Sequence, residues 1–306
     1  MAKVSVIIPV YNGAATISRA LDSVFAQTFA DFEVIVTDDG STDDTPAVLA
    51  GYAGRIHVVT QPNRGLPAAR NAGIRASSGE YVAFIDDDDE WMPEKLARSA
   101  AVLDQDPNCV LMYTGALKVD LAGRPMPNQD SQTWGLDSPT LAQMLERPWS
   151  VVPSRVMVRR ALLERYGGFD ERCVTACEDL YFLLLARECG YFRGIPELLV
   201  RKSTRPLYPT ALNREQACEL FVRLVRERYG ASATGLIREF RRMRMKVMRH
   251  MARILMEEGR PRDARRCLAR VIYYQPASPK AYRRYLKTFL PARSPLAPSR
   301  TGDGKA

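Results

Sequence analysis

The chain has 306 residues, enough for one large domain or two smaller ones, and 46% of them are hydrophobic, enough for a sizeable core. Its net charge of +9 is unevenly spread: residues 201–306 carry 26 Lys and Arg against 8 Asp and Glu, and residues 1–200 carry 18 against 27. That split predicts an acidic body and a basic appendage with an anionic partner, while six cysteines without a CxxC pair and two histidines argue against structural zinc.

Val4–Pro9 is a β-branched run typical of a parallel strand buried on both faces. Asn12-Gly13 marks a turn, and Ile17, Ala20, Leu21, Val24 and Phe25 recur at helical spacing. Phe32–Thr37 reads as a second strand, ended by Asp38-Asp39-Gly40-Ser41, and a helix opens at Asp44-Thr45-Pro46. Arg55–Thr60 is the third strand, Pro62–Gly65 a loop, and Leu66–Ala76 a small-residue helix. Tyr81–Ile85 is a fourth strand that runs into Asp86-Asp87-Asp88-Asp89. A helix from Pro93 to Gln105, strands at Cys109–Tyr113 and Val151–Val158, and a Gly/Pro/Asn/Asp-rich loop or hairpin at 120–138 follow. Tyr166–Asp170 is a turn. Glu178–Cys189 is a helix with acids in its first turn and Gly190 at its end, and Tyr191–Val200 is a strand kinked at Pro196.

Strand–helix alternation of this kind gives a doubly wound α/β sheet, whose ligands sit beyond the carboxyl ends of the strands. Three segments meet that condition: Pro9–Asn12, Asp38–Ser41 and Asp86–Asp89. No G-x-G-x-x-G follows the first strand and there is no G-x-x-x-x-G-K-[ST], so the usual phosphate cradles are missing. Four adjacent carboxylates repel one another, and a hard Mg²⁺ or Mn²⁺ relieves this. The plain alternative is a solvated acidic loop in which Asp89 caps the helix near Pro93.

Five motifs occur in order: Ser5–Asn12, Asp38–Asp43, Asn63–Leu66 with Ala69–Gly73, Gly79–Asp89, and Gly167–Asp170 with Glu178-Asp179. Together they resemble the family 2 glycosyltransferases over about residues 3–202. The resemblance implies a GT-A fold, a Rossmann-like mixed sheet, and inverting sugar transfer from a nucleotide-diphosphate donor, most often a uridine one. By position, Pro9 and Tyr11 would line the base pocket and Asp39 would accept from base or ribose; a turn-capping Asp39 is the alternative. Arg70 would reach the nucleotide or diphosphate, and Asn71 would support its loop. Asp86 and Asp88 match the two acids of the D-x-D motif, Asp86 at the ribose or metal and Asp88 on Mn²⁺ or Mg²⁺. Asp87 takes the middle position beside the nucleotide, and Asp89 lies just after. Inversion requires a base opposite the leaving group, and Asp179 fits that role, with Glu178 as its alternative or as acceptor orienter. One departure stands out: many relatives carry a His, or a basic loop with His, after the last strand, where this chain has Arg201, Lys202 and Arg205. Any of these would hold the diphosphate in place of a His ligand.

The domain expectation is a catalytic domain over 1–210, a basic helical domain over 211–290 and a disordered tail over 291–306. The helical part alternates cation and apolar residue at Arg241–Arg249, and from Gly259 forms one helix–turn–helix. Peripheral contact with anionic lipid, a homo-oligomer and a solvated cap all fit it. Across Arg241–Arg249 no aromatics are interleaved with the cations for stacking, which argues against nucleic acid. With no leader and no apolar run near the roughly 18 residues of a membrane span, the expectation is a cytoplasmic chain at or near the inner membrane face. The leading reading is an inverting transferase acting on a glycan or lipid-linked acceptor. The alternatives are a binding module that kept the fold, which predicts damaged acids at Asp88 or Asp179, and a nucleotidyltransferase, which needs a Gly-rich phosphate loop.

Overall fold

A computed structural model of the chain describes residues 1–120, 123–126, 152–173, 177–203, 210–257 and 259–289, with side chains 210–217 excepted. Most of the expected 120–138 loop, Arg205 and the expected tail lie outside the described residues. By contact the chain divides into one compact unit, Met1–Ile237, and a second that starts at Arg238.

The first unit is built on one eight-stranded mixed sheet of order β3-β2-β1-β4-β7-β6-β8-β5. Its parallel half is β1 (Val4–Val10), β2 (Phe32–Asp38), β3 (His57–Thr60) and β4 (Tyr81–Phe84). There the expected strand–helix alternation holds: β1, β2 and β3 are each followed by a helix, and the strand order reverses between β1 and β4. β7 (Val156–Arg159) breaks the pattern by pairing antiparallel with both β4 and β6 (Cys109–Val119). β8 (Tyr191–Ser203) runs parallel to β6, and the short β5 (Glu90–Trp91) lies antiparallel on β8.

Two strands run further than the sequence pattern predicts. β6 continues past Tyr113 to Val119, and β8 past Val200 to Ser203, because each supplies the other's ladder. Their register slips where Thr114 pairs with Ile195 but Gly115 with Leu198, so Pro196-Glu197 bulges out and spares the ladder a missing proline N–H. The extension of β8 carries Lys202 and Ser203 to the site described below.

Burial on both faces explains the near-continuous apolar strands. Val4, Val6, Ile8 and Val10 face one core with Ile17, Leu21 and Val24 of α1 (Ile17–Phe25) and Leu96, Ala100 and Leu103 of α4 (Lys95–Gln105). α2 (Thr45–Ala50) adds Leu49 to that face. Ile7, Ile35, Val82 and Phe84 face the other core, with Leu162 and Leu163 of α5 (Arg160–Tyr166) and Phe182, Leu183 and Ala186 of α6 (Glu178–Cys189). α3 (Leu66–Ala76) packs its Ile74 on this second face. Each fully buried aliphatic contributes about 1.5–3 kcal/mol, so the two faces set the strand register firmly.

After β8 the described chain is helical: α7 (Thr210–Tyr229), α8 (Ala233–Glu257), α9 (Pro261–Tyr274) and α10 (Pro279–Lys287). α9 and α10 form the expected helix–turn–helix. No described helix is long and apolar enough to cross a membrane. None of the six cysteines is in a disulfide.

Candidate active site

Asp86 follows β4 at the point where the chain leaves the sheet. Its Oδ1 accepts a hydrogen bond from Arg70 Nη2 at 2.9 Å, and its Oδ2 one from Lys202 Nζ at 3.0 Å. Arg70 rises from α3 and is 1% exposed. Its other terminal nitrogen, Nη1, donates to Asp179 Oδ1 at 3.0 Å and lies 3.6 Å from Glu178 Oε1. The guanidinium carbon stands 5.1 Å from the centre of the Phe169 ring. One buried guanidinium therefore joins the end of β4 to the first turn of α6.

The charges are unequally placed. Burial works to raise Asp86, but Lys202 and Arg70 outweigh it and hold the carboxyl far below the ordinary range. Asp179 goes the other way: burial and the neighbouring Glu178 charge push it up to about 8, against the pull of Arg70 and Lys202. Its surroundings explain the desolvation, because Phe84, Phe169, Phe182 and Leu183 line a small cavity with it. Burial alone would lower Arg70, yet Asp179, Asp86 and Glu178 keep it charged.

Asp89 is 0% exposed and does not cap α4, whose N-cap is Glu94. Its Oδ1 accepts from the Ser203 backbone N–H at 2.8 Å, and its Oδ2 from Lys202 Nζ at 2.9 Å and from the Ser154 hydroxyl. Ser154 also accepts from the Asp86 N–H at 3.1 Å. Asp89 thus ties the strand that follows α6 to the acidic run. Burial raises its carboxyl, with Lys202 opposing and Asp86 and Asp88 reinforcing.

Asp87 turns toward the loop after β1. Its Oδ2 accepts from Thr16 Oγ1 at 2.8 Å, and a Cβ on Gly13 would lie 2.7 Å from that oxygen, so only glycine admits the approach. Asn12, at φ 54°, binds across to the next loop: its N–H donates to Ser41 Oγ, and its Oδ1 accepts from the Thr42 N–H at 2.8 Å. Tyr11 is 49% exposed beside it, while Pro9 is buried in β1 opposite Thr37. Asp39 is buried and spans the next loop, accepting from Gln61 Nε2 at 2.7 Å, the Arg64 N–H at 2.9 Å and the Gly65 N–H at 2.8 Å. The bonds Asp39 makes here close the loop that leads into α3.

The structure therefore gathers Arg70, Asp86, Glu178 and Asp179 into one bonded group. Pro9, Tyr11 and Asp39 lie along the ends of β1 and β2. Asn71 supports a neighbouring loop: its Nδ2 donates to the Phe169 carbonyl at 2.8 Å and its Oδ1 accepts from the Phe169 N–H at 2.8 Å. Gly168 accommodates that clamp, having φ 89° and no room for a Cβ beside Asn71 Oδ1. Of the cations expected after the last strand, Arg201 and Lys202 lie within β8: Lys202 enters the acidic group, whereas Arg201 reaches the Gly123 carbonyl and lies 4.0 Å from Glu90. Ser154 and Thr16 carried no signal in the sequence, since neither stands in a recognisable motif. Cys177, just before Glu178, has φ 77°, so with Asn12 both described non-glycine residues of positive φ border the site.

Among the described residues no three His, Cys, Asp or Glu side chains cluster to hold a metal. A magnesium-type ion needs no such cage, because it is held by one or two carboxylates together with substrate phosphates. Half-buried Asp88 offers such a carboxylate, and Asp86, whose two oxygens already accept from Arg70 and Lys202, has only its remaining lone pairs to add. Even with the raised Asp179 and Asp89 left out, the acids Asp86, Asp88 and Glu178 outnumber Arg70 and Lys202, and such a cleft repels a bare diphosphate. The residues present fit a divalent ion.

The family model of Glycosyl transferase family 2 matches residues 5–167. An uncharacterized glycosyltransferase of Rickettsia typhi is 32% identical over 227 residues, 71% of this chain and 69% of the relative. The uncharacterized glycosyltransferase EpsJ of Bacillus subtilis is 32% identical over 193 residues, 60% of this chain and 55% of the relative. The chain belongs to glycosyl transferase family 2 and has its GT-A fold. Among solved structures, residues 1–349 of S. aureus TarS superpose with a TM-score of 0.66 at 23% identity, covering 94% of this chain and 89% of that one. A further TarS structure holds UDP-GlcNAc. The mannosyltransferase PcManGT of Pyrobaculum calidifontis, in complex with GDP-Man and Mn²⁺, superposes at 0.58 with 21% identity over 94% and 79% of the two chains. At these identities the structural likeness speaks for the fold alone.

Proposed function

We propose that this glycosyltransferase moves a sugar, with inversion, from a nucleotide-diphosphate donor to a hydroxyl of a glycan or lipid-linked acceptor. The observation that carries the reading is the single buried guanidinium of Arg70, bonded at once to Asp86 and Asp179. It fixes a strongly acidic carboxyl and a weakly acidic one on opposite sides of one cation, which is how a donor-side acid and an acceptor-side base are kept apart in role. Asp179 takes the acceptor proton as the hydroxyl attacks, and Glu178 orients the acceptor or substitutes as base. Tyr11 offers its exposed ring to the base, beside Pro9, with Asp39 shaping the loop below it.

Asp88, with Asp86, would hold Mn²⁺ or Mg²⁺. Such an ion, when bound, offsets the charge of the departing diphosphate. A uridine donor is favoured by the family resemblance, while the structural relatives hold UDP-GlcNAc in one case and GDP-Man in another. The undamaged acids at Asp88 and Asp179 favour transfer over a binding module that kept the fold. The absence of a Gly-rich phosphate loop after β1 disfavours nucleotidyl transfer.

A thermal-shift screen of UDP-, GDP- and dTDP-sugars, with and without Mn²⁺, tests the reading. A stabilisation by one nucleotide class that depends on the ion is expected. No shift with any nucleotide sugar under either condition would remove it.

A further inference from the structure

The strongest unassigned surface lies in the second unit. Between Arg238 and Phe289 the sequence holds 16 Lys and Arg against 4 Asp and Glu. α10 divides its surface three ways. Ala281 is fully buried against Met245 and Val271, and Thr288 is buried too, so that face is committed inward. Tyr282, Leu286 and Phe289 are 44%, 65% and 57% exposed. At about 100° per residue Tyr282 and Leu286 fall within about 40° of each other, and Phe289 follows in the turn that ends the helix, its N–H donating to the Leu286 carbonyl. Lys280, Arg283, Arg284 and Lys287 are all exposed and fill the next arc, about 100° wide. A further cation, Arg265 of α9, places its guanidinium 4.4 Å from the Phe289 ring.

An exposed aromatic and aliphatic stripe flanked by cations matches a surface that satisfies both halves. That is the boundary of an anionic bilayer, where the apolar side chains enter the acyl region and the cations meet headgroup phosphates. A second copy of this unit would bring like charge to the contact. α9 and α10 offer only Asp263 as an acid, and it is already paired with Arg260 at 3.2 Å and Arg266 at 3.7 Å.

We infer that the α10 face, through Tyr282, Leu286 and Phe289 with Arg283, Arg284 and Lys287, docks the chain on an anionic lipid surface. This goes beyond the proposed chemistry and does not depend on it: the surface would bind lipid whatever the active site transfers.

Flotation of the full chain with phosphatidylcholine vesicles, with and without phosphatidylglycerol, reads the inference directly. The chain is expected to float only with the anionic vesicles. The variant Y282S/L286S/F289S and the variant R283E/R284E/K287E should each lower the bound fraction about tenfold or more. All six positions are exposed, so both variants should keep the parent melting curve, and either alone keeps the test alive if the other misfolds. Undiminished flotation of the serine variant overturns the inference. So does a failure to float accompanied by a dimer that the serine variant dissolves, which would assign the stripe to a second copy.

Discussion

Arg70 Nη1 lies 3.0 Å from Asp179 Oδ1, and through this bond a helix on one side of the sheet holds the first turn of another. The same guanidinium reaches Asp86 at 2.9 Å, so α3, the end of β4 and, 109 residues on from Arg70, the first turn of α6 meet on one side chain that water does not reach. Removing the cation would leave two carboxylates facing each other in a desolvated cleft. Arg70→Met is therefore expected to destabilise the fold by about 3–5 kcal/mol, read by chemical denaturation. Arg70→Lys cannot reach both acids from one ammonium and should recover only part of this. An unchanged midpoint in Arg70→Met would mean that the group contributes nothing to the fold.

The raised carboxyl of Asp179 gives a pH signature. The groups that face it are Glu178, Arg70, Asp86 and Lys202; burial and the two acids raise it, the two cations lower it, and the sum is a rise to about 8. A base works only when ionised, so kcat/KM should climb with pH to about 8 rather than level off near pH 5. Glu178→Gln removes a like charge and should move that limb to lower pH. Asp179→Asn should cut transfer by about 10²–10⁴-fold while donor-induced thermal stabilisation persists. A pH profile unmoved by Glu178→Gln would separate the limb from Asp179.

The sheet and its order of helices were legible because strands buried on both faces read as apolar runs, as at Val4–Pro9 and Tyr81–Ile85. The acids were legible as motifs. Their division of labour was not, because it depends on partners far along the chain. Asp89 looked like a helix cap until Lys202, Ser154 and Ser203 closed on it, and β8 had to run past Val200 to bring two of those three. That extension comes from pairing with β6, and no local signal in Val200–Ser203 foretells it. Asp39 is a similar case: its loop-closing bonds come from Gln61, Arg64 and Gly65, residues whose own sequence suggests only a turn.

Lys202 has a testable double duty. Its Nζ is shared between Asp86 and buried Asp89, and the acids hold it charged despite burial. Lys202→Met should destabilise by several kcal/mol, roughly the cost of one unpaired buried charge, and adding Asp89→Asn should restore a large part. The repair would appear as non-additivity in a double-mutant cycle of denaturation midpoints, and strict additivity would show that the pair does not interact.

Asp88 separates the donor from the metal in the proposed chemistry. Asp88→Ala is expected to abolish the Mn²⁺-dependent part of the donor thermal shift and to leave the midpoint without ligands within about 0.5 kcal/mol, as for a half-buried group outside the core. Ion-dependent stabilisation equal to that of the parent chain would take the metal away from Asp88.

Lys95 offers the last prediction, and it concerns stability rather than turnover. The side chain opens α4, is 0% exposed and has Ser99 Oγ at 3.0 Å as its hydrogen-bond acceptor. The Trp91 ring lies 5.1 Å away. Burial, reinforced by the nearby Arg155 charge, lowers its ammonium to about 7. An unfolded lysine stays protonated to about pH 10.4, so between those values the unfolded chain binds the extra proton. Stability from this group is then fully present above the unfolded value and is lost as pH falls toward 7. Melting temperature should accordingly rise from about pH 7 to pH 10 by this contribution, against whatever the tyrosines do at the upper end. Lys95→Met keeps the stem and deletes the charge. It should raise the melting temperature at neutral pH, by about 1 kcal/mol or more in stability, and flatten the slope above pH 7. A methionine variant less stable than the parent at pH 7, with the slope intact, would show that the ammonium is compensated in the fold after all.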